Sequence, residues 1–191
     1  MPKVEIGTLK AHLTKWKNCD LCSLCSTRSK ISLYRGSIPC EALFISDAPG
    51  MAEDALGEPF SGSEGYLLNS LLKTAKETTG VDAIIGFTYL ISCKPEEKPL
   101  KTSLKACIPR LKEIVELAQP QTIVMVGKLA SKQIPELFNS DDAKQFVSIP
   151  HPRELIKTPV HIQGLEIKKC QLSINDIFEN LIPSRSLLQQ F

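Results

Sequence analysis

The chain has 191 residues, 42% of them hydrophobic, and its 23 basic and 21 acidic residues give a net charge of +2. This size and composition predict one compact domain, and the small net charge neither requires nor excludes nucleic acid, because a local basic groove matters more than the total. No apolar run approaches the roughly 20 residues of a membrane helix. The first ten residues lack the apolar core of a signal peptide, so we expect a cytoplasmic protein without membrane contact.

The first third of the chain predicts a helix, a strand and a second helix. Apolar residues at helical spacing between Ile6 and Trp16 indicate an opening amphipathic helix. Ala42–Ser46 has the composition of a buried strand and is followed by turn residues. The segment from Ser61 to Glu64 has capping-box spacing immediately before an apolar helical pattern.

The rest of the chain alternates strands and helices. The predicted elements are a strand over 84–91, a helix over 104–118 capped by Thr102 or Ser103, a strand over 122–126, a short helix after Gly127, a strand over 146–149, a polar hairpin around Gly164 and a helix over 174–181. Such alternation favours parallel pairing through right-handed crossovers. We therefore predict a single α/β domain over residues 1–191, with three αβα layers around a central four-stranded, mainly parallel sheet. The ligand site of such a sheet lies beyond the carboxyl ends of its strands.

Seven cysteines in a reducing compartment favour metal or redox chemistry over disulfides. Cys19 and Cys22 form a C-x2-C pair, and Cys93 and Cys107 can complete one metal centre with them. Spacing alone leaves zinc and iron–sulfur open, and Cys25 forms a second C-x2-C pair with Cys22. The remaining cysteines lie in apolar or strand-like settings and are interpreted as small core residues: Cys40 and Cys170.

Several segments together resemble the family 4 uracil-DNA glycosylases, an iron–sulfur family. FISDAPGMAED (44–54) and GEPFSGSEGYLLN (57–69) are similar to the family patterns G-E-A-P-G-x-x-E-D and G-x-P-F-x-G-x-x-G-x-L-L. C-x2-C-x-L before Thr27-Arg28, SCKP (92–95) and HPREL (151–155) extend the resemblance over residues 16–157. It implies a uracil-DNA glycosylase-like fold, DNA as partner and excision of uracil or a related base flipped into a pocket. We also expect a monomer, with a replication or repair protein as a further possible partner.

The resemblance also implies a [4Fe–4S] cluster, with zinc as the alternative metal. Its ligands would be Cys19, Cys22, Cys93 and Cys107, and Cys25 would not be needed. The cluster would clamp the N-terminal helix and the cysteine-containing segment, residues 1–40, onto the sheet. Binding a metal only in the folded state would stabilise that state.

Catalytic and DNA-binding roles follow from the same resemblance. Asp47, where the family usually has Glu, and Glu53 would orient water or stabilise a cationic sugar, and His151 would donate to the base oxygen that gains charge. The alternative for Asp47 is an ordinary Asx-type turn before Pro49. The remaining assignments are a base pocket at Ala48, Phe60 and Tyr89, phosphate donors at Gly62, Ser63, Gly65, Gly127 and Ser131, an apolar wedge at Leu155 and Ile156, and a phosphate contact at Lys157.

One position departs from the family in a way that bears on activity. The family reads T-N-x-V-K-C where this chain reads TYLISC (88–93), so Tyr89 replaces the Asn that reads uracil. A phenol cannot supply the paired donor and acceptor of an amide, and it fills more of the pocket. Two hypotheses follow: an active DNA base glycosylase for uracil or a related modified base, or a non-catalytic iron–sulfur protein that binds DNA or a repair partner.

Overall fold

A computed structural model describes residues 8–96, 101–138 and 145–181 of the chain. The strands are β1 Arg35–Gly36, β2 Ala42–Ser46, β3 Ile85–Tyr89, β4 Thr122–Val126 and β5 Gln145–Ile149. The helices are α1 Leu9–Trp16, α2 Met51–Leu56, α3 Ser63–Thr79, α4 Lys101–Ala118, α5 Lys128–Leu137, α6 Pro152–Lys157 and α7 Val160–Asn180, with a short 3-10 helix over Ser23–Ser26.

The sheet has the strand order β1-β3-β2-β4-β5, and every neighbouring pair is parallel except β1 with β3. Its strands bury alternate side chains on opposite faces. On one face, Leu43 and Ile45 of β2 pack in a core with α4 and α5, while α1 packs at its margin. On the other face, Ala42 and Phe44 pack in a second core with α3, α6 and α7. The predicted three-layer α/β fold is confirmed.

The register brings the carboxyl ends of four strands level. Ser46 at the end of β2 is paired with Tyr89 of β3 and with Val126 of β4, and Val126 is paired with Ile149 of β5. The residues that follow these ends therefore lie along one edge of the sheet. Asp47 is among them, and so are the residues after β4 and β5 that the sequence singled out.

Several element boundaries differ from the predictions. The sheet gains a fifth strand, because the two-residue β1 pairs along the edge of β3. The capping box over residues 61–64 is wrong: α3 begins at Ser63 after Gly62, and the Ser61 hydroxyl donates to the carbonyl of Glu58. A cap at Thr102 or Ser103 is also wrong, since both residues lie inside α4.

The hairpin predicted around Gly164 is wrong as well. Residues 160–180 form one continuous helix, α7, which packs along α3. Gly164 lies on its solvent side, where an added Cβ would meet nothing within 4 Å. The buried stripe of α7 therefore outweighs the weak helix preference of one glycine. Ile6 of the opening helix lies outside the described residues, within which no helix is long and apolar enough to cross a membrane.

Candidate active site at the carboxyl edge of the sheet

The predicted catalytic residues Asp47 and His151 lie on either side of Gly127. A Cβ built on Gly127 would stand 3.3 Å from the Cβ of His151 and 3.5 Å from Oδ1 of Asp47. Gly127 has a φ of 98°, which favours glycine, so the chain turns here without a side chain between the two groups. Both face a cleft of about 660 Å³, whose other lining residues include Lys94, Lys128 and Arg153.

His151 is oriented by its own helix. It caps α6, and its Nδ1 accepts a hydrogen bond from the backbone N–H of Arg153 at 3.1 Å. Burial lowers the pKa of His151, against an opposing attraction from Asp47. Since Nδ1 is an acceptor, the neutral ring carries its proton on Nε2. His151 is thereby set as a neutral donor on the ring nitrogen that does not cap the helix.

Asp47 is held by the start of α5. Its Oδ1 accepts a hydrogen bond from the backbone N–H of Ala130 at 2.9 Å. Burial raises the pKa of Asp47, while the Ala130 amide and His151 act in the opposite direction. The side chain thus caps a helix across the sheet edge and also places a carboxylate beside His151. This is a different structural role from the Asx-type turn considered from the sequence.

Glu53 uses both carboxylate oxygens to hold backbone. Oε2 accepts from the N–H of Gly50 at 3.0 Å, and Oε1 accepts from the N–H of Gly62 at 2.8 Å. The residue is 4% exposed. Glu53 therefore ties the start of α2 to the start of α3, and it lines the recess beside the cleft.

Phe60 and Tyr89 lie together beside the cleft. Their rings are stacked, with centroids 5.2 Å apart and planes inclined by 14°. The backbone N–H of Phe60 donates to the hydroxyl of Tyr89 at 3.0 Å. Burial raises the pKa of Tyr89 far above its ordinary value, so the phenol stays protonated. The predicted base-pocket residues thus contact each other, and Ala48 lines the same recess.

An ion pair missed from the sequence lies at the mouth of this recess. Nε of Arg153 donates to Oε1 of Glu64 at 2.9 Å. Burial alone would raise the pKa of Glu64, but its hydrogen bonds, chiefly the one from Arg153, lower it below the ordinary value. Arg153 lines both the recess and the cleft. Its position two residues after His151, within the HPREL segment, was the available signal.

The predicted phosphate-binding residues surround the same edge. Gly62 and Gly65 are buried at the start of α3, whereas Ser63 is exposed. The hydroxyl of Ser131 donates to the carbonyl of Gly127, which places it on the first turn of α5. Of these five residues, Gly127 is the one that lines the cleft.

The predicted wedge residues divide between the core and the surface. Leu155 is 2% exposed and belongs to the core that contains α3 and α7, so it has no free apolar surface. Ile156 is 46% exposed, and Lys157 is exposed on the same helix. Leu155 thus follows the alternative in which part of this loop packs on the domain.

Of the four predicted cysteine ligands, Cys93 and Cys107 lie in the core on the α4 side of the sheet, and Cys22 packs against that core. Burial raises the pKa of Cys93 to about 11, with further contributions from Cys107 and Cys22. Burial likewise raises the pKa of Cys107, and Cys22 and Cys19 add to it. Among the described residues, however, no three His, Cys, Asp or Glu side chains are grouped tightly enough to hold a single metal ion. Cys40 and Cys170 are buried in the two cores, as predicted.

Two guanidinium groups adjoin these thiols. Nη1 of Arg28 lies 3.3 Å from Sγ of Cys93. Arg110 is 2% exposed, and burial lowers its pKa, while Cys107, Cys93 and Cys19 act in the opposite direction. Arg110 was not predicted, although an arginine on the apolar stripe of a helix, three residues after a candidate ligand, is a recognisable signal.

Arg110 also holds the end of β3. Nη1 donates to Oγ1 of Thr88 at 2.7 Å, and Nη2 donates to the carbonyls of Tyr89 and Leu90. The buried side chain of Arg110 thus connects α4, which carries Cys107, to the end of β3, which carries Tyr89.

This architecture defines an α/β protein whose ligand cleft opens at the carboxyl edge of a mainly parallel sheet. The family model of the Uracil DNA glycosylase superfamily matches residues 34–173. The chain belongs to this superfamily, as its motifs predicted.

Relatives and solved structures agree with this assignment. The chain is 31% identical over 123 residues to a Type-4 uracil-DNA glycosylase of Pyrobaculum aerophilum, covering 63% of this chain and 61% of that protein. A Type-4 uracil-DNA glycosylase of Archaeoglobus fulgidus is 31% identical over 124 residues, covering 64% and 61%. The chain thus spans about three-fifths of the length of these curated relatives.

Two solved structures share the fold at low sequence identity. Pedobacter heparinus SMUG2 superimposes with a TM-score of 0.53 at 14% identity, over 72% of this chain and 76% of that one. A putative uracil DNA glycosylase from Methanosarcina acetivorans gives a TM-score of 0.53 at 10% identity, over 78% and 98%. These likenesses bear on the fold alone.

Proposed function

We propose that this protein is a DNA glycosylase that hydrolyses the N-glycosidic bond of a nucleotide held at the carboxyl edge of the sheet. The observation that carries the proposal is that Asp47 and His151 face one cleft across Gly127. These are the two groups that such a reaction needs on opposite ends of the breaking bond, and membership of the Uracil DNA glycosylase superfamily supports the assignment.

The chemistry assigns a separate task to each group. As the bond between C1′ and the base nitrogen breaks, its electron pair leaves with the base and the sugar becomes cationic. Nε2–H of His151 would donate to the base oxygen that gains charge as the bond breaks. The carboxylate of Asp47 would stabilise the sugar cation. The oxygen of a water molecule then bonds to C1′. The proton that this water loses neutralises the departing base anion.

Glu53 fits a supporting role in this proposal. Because its two oxygens accept from Gly50 and Gly62, it fixes the loop that carries Phe60 and the start of α3. It would hold the recess in position beside the cleft, and Asp47 would be the carboxylate that orients the water. The exposed Ile156 and Lys157 on α6 would contact the duplex, one as the wedge and one at a phosphate.

The direct test is a strand-cleavage assay with the full chain on oligonucleotides that carry uracil, hypoxanthine, xanthine or hydroxymethyluracil. Alkali-sensitive abasic product from at least one of them is the expected result. No product from any of them, with a folded protein, would overturn the glycosylase proposal.

A second candidate function is non-catalytic DNA binding on the same fold. The observation that favours it is Tyr89, whose ring stacks on Phe60 in the recess where a flipped base would have to enter. In the assay above, binding to the oligonucleotides without any abasic product would support this second function.

We further propose that Cys19, Cys22, Cys93 and Cys107 hold a [4Fe–4S] cluster. Cluster-bound cysteines are thiolates, and buried thiolates need positive charge nearby. Nη1 of Arg28 lies 3.3 Å from Sγ of Cys93, and the charge of the buried Arg110 is favoured by Cys107, Cys93 and Cys19, so both guanidinium groups would meet this need. Four thiolates are the donor set that a [4Fe–4S] cluster takes, and these four cysteines would supply it. When bound, the cluster would supply a clamp between the N-terminal segment, the loop before α4 and α4 itself.

Arg110→Leu tests this arrangement, because it leaves the thiolates without their buried counter-charge. Anaerobically purified protein should be brown with broad visible absorption, and the variant should lose most of its iron and sulfide. Lys112→Leu, on the exposed side of the same helix, is the control and should retain them. A colourless, zinc-containing parent protein would overturn the cluster proposal, and full iron content in the variant would remove the role of Arg110.

A further inference from the structure

The side chain of Tyr89 has the contacts that a bound base would make. Its ring lies nearly parallel to Phe60, at the 5.2 Å centroid separation of an offset stack. Its hydroxyl oxygen accepts the backbone N–H of Phe60, as a base carbonyl oxygen would. An aromatic ring with an oxygen acceptor at its edge thus already occupies the face of Phe60.

The recess has no space for a second ring. The cavity bounded by Ala48, Glu53, Phe60, Tyr89 and His151 has a volume of about 10 Å³. A cavity needs roughly that much to admit one water molecule. A pyrimidine or purine can therefore enter only if Tyr89 leaves.

Several contacts hold Tyr89 and Phe60 in place. Arg110 donates to the carbonyl of Tyr89, which fixes the end of β3. Phe60 has a φ of 55°, a conformation that needs support from its surroundings. That support includes Gly65, whose missing Cβ would stand 1.9 Å from the carbonyl oxygen of Phe60. The stack thus joins the end of β3 to the segment just before α3, and both of its side chains are buried.

The neighbouring cleft, by contrast, is open. Its volume of about 660 Å³ lies within the range of small-molecule sites. Asp47 and His151 face it, and three cations, Lys94, Lys128 and Arg153, also line it. Lys128 pairs with Glu154 and Arg153 pairs with Glu64, and the acidic Glu96 lines the cleft as well. The cleft has room for a sugar with flanking phosphates, beside a base position that is already filled.

We propose that Tyr89 takes the place of the nucleobase, so that the site binds the base-less deoxyribose of an abasic site in DNA in preference to nucleotides that carry a base. This inference takes one element from the proposed function, namely that the ligand is DNA. Excision of a base at this site would first require Tyr89 to move out of its stack with Phe60. Base-bearing DNA would therefore bind less tightly, because a flipped base must give up its own stacking without gaining the face of Phe60.

The test compares three duplexes that differ at one position: a tetrahydrofuran abasic analogue, uracil or thymine. Fluorescence anisotropy with the full chain should show about tenfold tighter binding to the tetrahydrofuran duplex, the scale of one lost stacking contact. Tyr89→Ala should reduce this ratio to within about twofold. Tyr66→Ala, a matched change at an exposed tyrosine, should leave the ratio unchanged whatever it does to overall affinity.

The outcomes separate the inference from the function on which it rests. Equal affinity of the parent protein for all three duplexes, or an unchanged ratio in folded Tyr89→Ala, would overturn the inference alone. Failure to bind any duplex at low salt would overturn the proposed DNA function as well.

A second measurement does not depend on the variant folding. Saturation-transfer NMR with free uracil or hypoxanthine should show no binding to the parent protein, because the face of Phe60 is covered. Specific binding of a free base to the parent protein would overturn the inference. Where Tyr89→Ala folds, it should bind the free base.

Discussion

The two halves of the carboxyl edge differ in how far they are open. Beyond β2, β4 and β5, Asp47, Gly127 and His151 border a cleft of about 660 Å³. Beyond β2 and β3, Phe60 and Tyr89 leave a cavity of about 10 Å³. The groups proposed to act on the sugar and on the departing base thus remain accessible, while the surface that would read the base is covered. Base recognition and bond cleavage therefore depend largely on different residues, while Ala48, His151 and Arg153 line both halves.

The largest effect should come from opening the filled half. Tyr89→Asn replaces the ring by an amide that can pair with the O4 and N3–H edge of uracil, and we expect uracil excision to rise by roughly a hundredfold or more. Single-turnover strand cleavage measures the gain, with Tyr66→Asn as control. A folded Tyr89→Asn protein that excises no uracil would show that the open half is not competent either.

The next prediction concerns Glu53, which holds the backbone of Gly50 and Gly62 beside the recess. Glu53→Gln turns one of two buried acceptors into an amide donor that faces a backbone N–H, at Gly50 or Gly62. Such a mismatch costs about 1–3 kcal/mol, which should appear as a lower urea midpoint. Glu58→Gln, at an exposed site, is the control. Unaltered stability combined with a large loss of excision would instead give Glu53 a chemical role.

In the open half, His151→Ala should lower any excision at least tenfold by removing the donor to the leaving base. The fold should survive, because His151 is only partly buried and its main structural bond is one helix cap. Because burial lowers its pKa, His151 should stay neutral below pH 6.5, and excision should not fall through protonation of this group near its ordinary pKa. The control is His161→Ala at an exposed position of α7. Unchanged turnover in His151→Ala would make this residue a bystander.

Sequence patterns predicted the open half better than the filled half. Strand ends and turn residues locate Asp47 and His151 because parallel strands end at one edge, which is a property of local sequence plus topology. The position of Tyr89 was also predicted, as the place where the family reads uracil. Its stack on Phe60 was not, because the ring orientation depends on Gly65, on Arg110 and on a positive φ at Phe60, which are long-range or backbone features.

The errors in secondary structure have the same origin. Gly164 and the residues around it suggested a hairpin, but the contact of α7 with α3 extends the helix through them. The role of Glu53 also needed coordinates, since its two amide partners are three and nine residues away and lie on different elements. Local signals placed the strands, and tertiary contacts determined what the side chains do.

The smallest expected effect comes from Asp47→Asn, which keeps the acceptor for the Ala130 amide and removes the charge. Losing one charge beside a solvent-accessible sugar cation should lower excision roughly fivefold, the equivalent of about 1 kcal/mol. Burial raises the pKa of Asp47, so ionisation costs the folded state more than the unfolded state. The variant should therefore unfold at a slightly higher temperature at pH 7, by about 2 °C.

The pH dependence of that difference has a definite sign. As pH falls through the raised pKa of folded Asp47, the folded parent takes up a proton before the unfolded chain does, and the parent regains stability relative to the variant. The advantage of Asp47→Asn should thus be present near neutrality and disappear as the pH approaches the ordinary carboxyl value of 3.8. Thermal unfolding of both proteins across this range measures it. A variant that is less stable at pH 7, with excision unchanged, would mean that Asp47 serves α5 as a cap and contributes no charge to the open half.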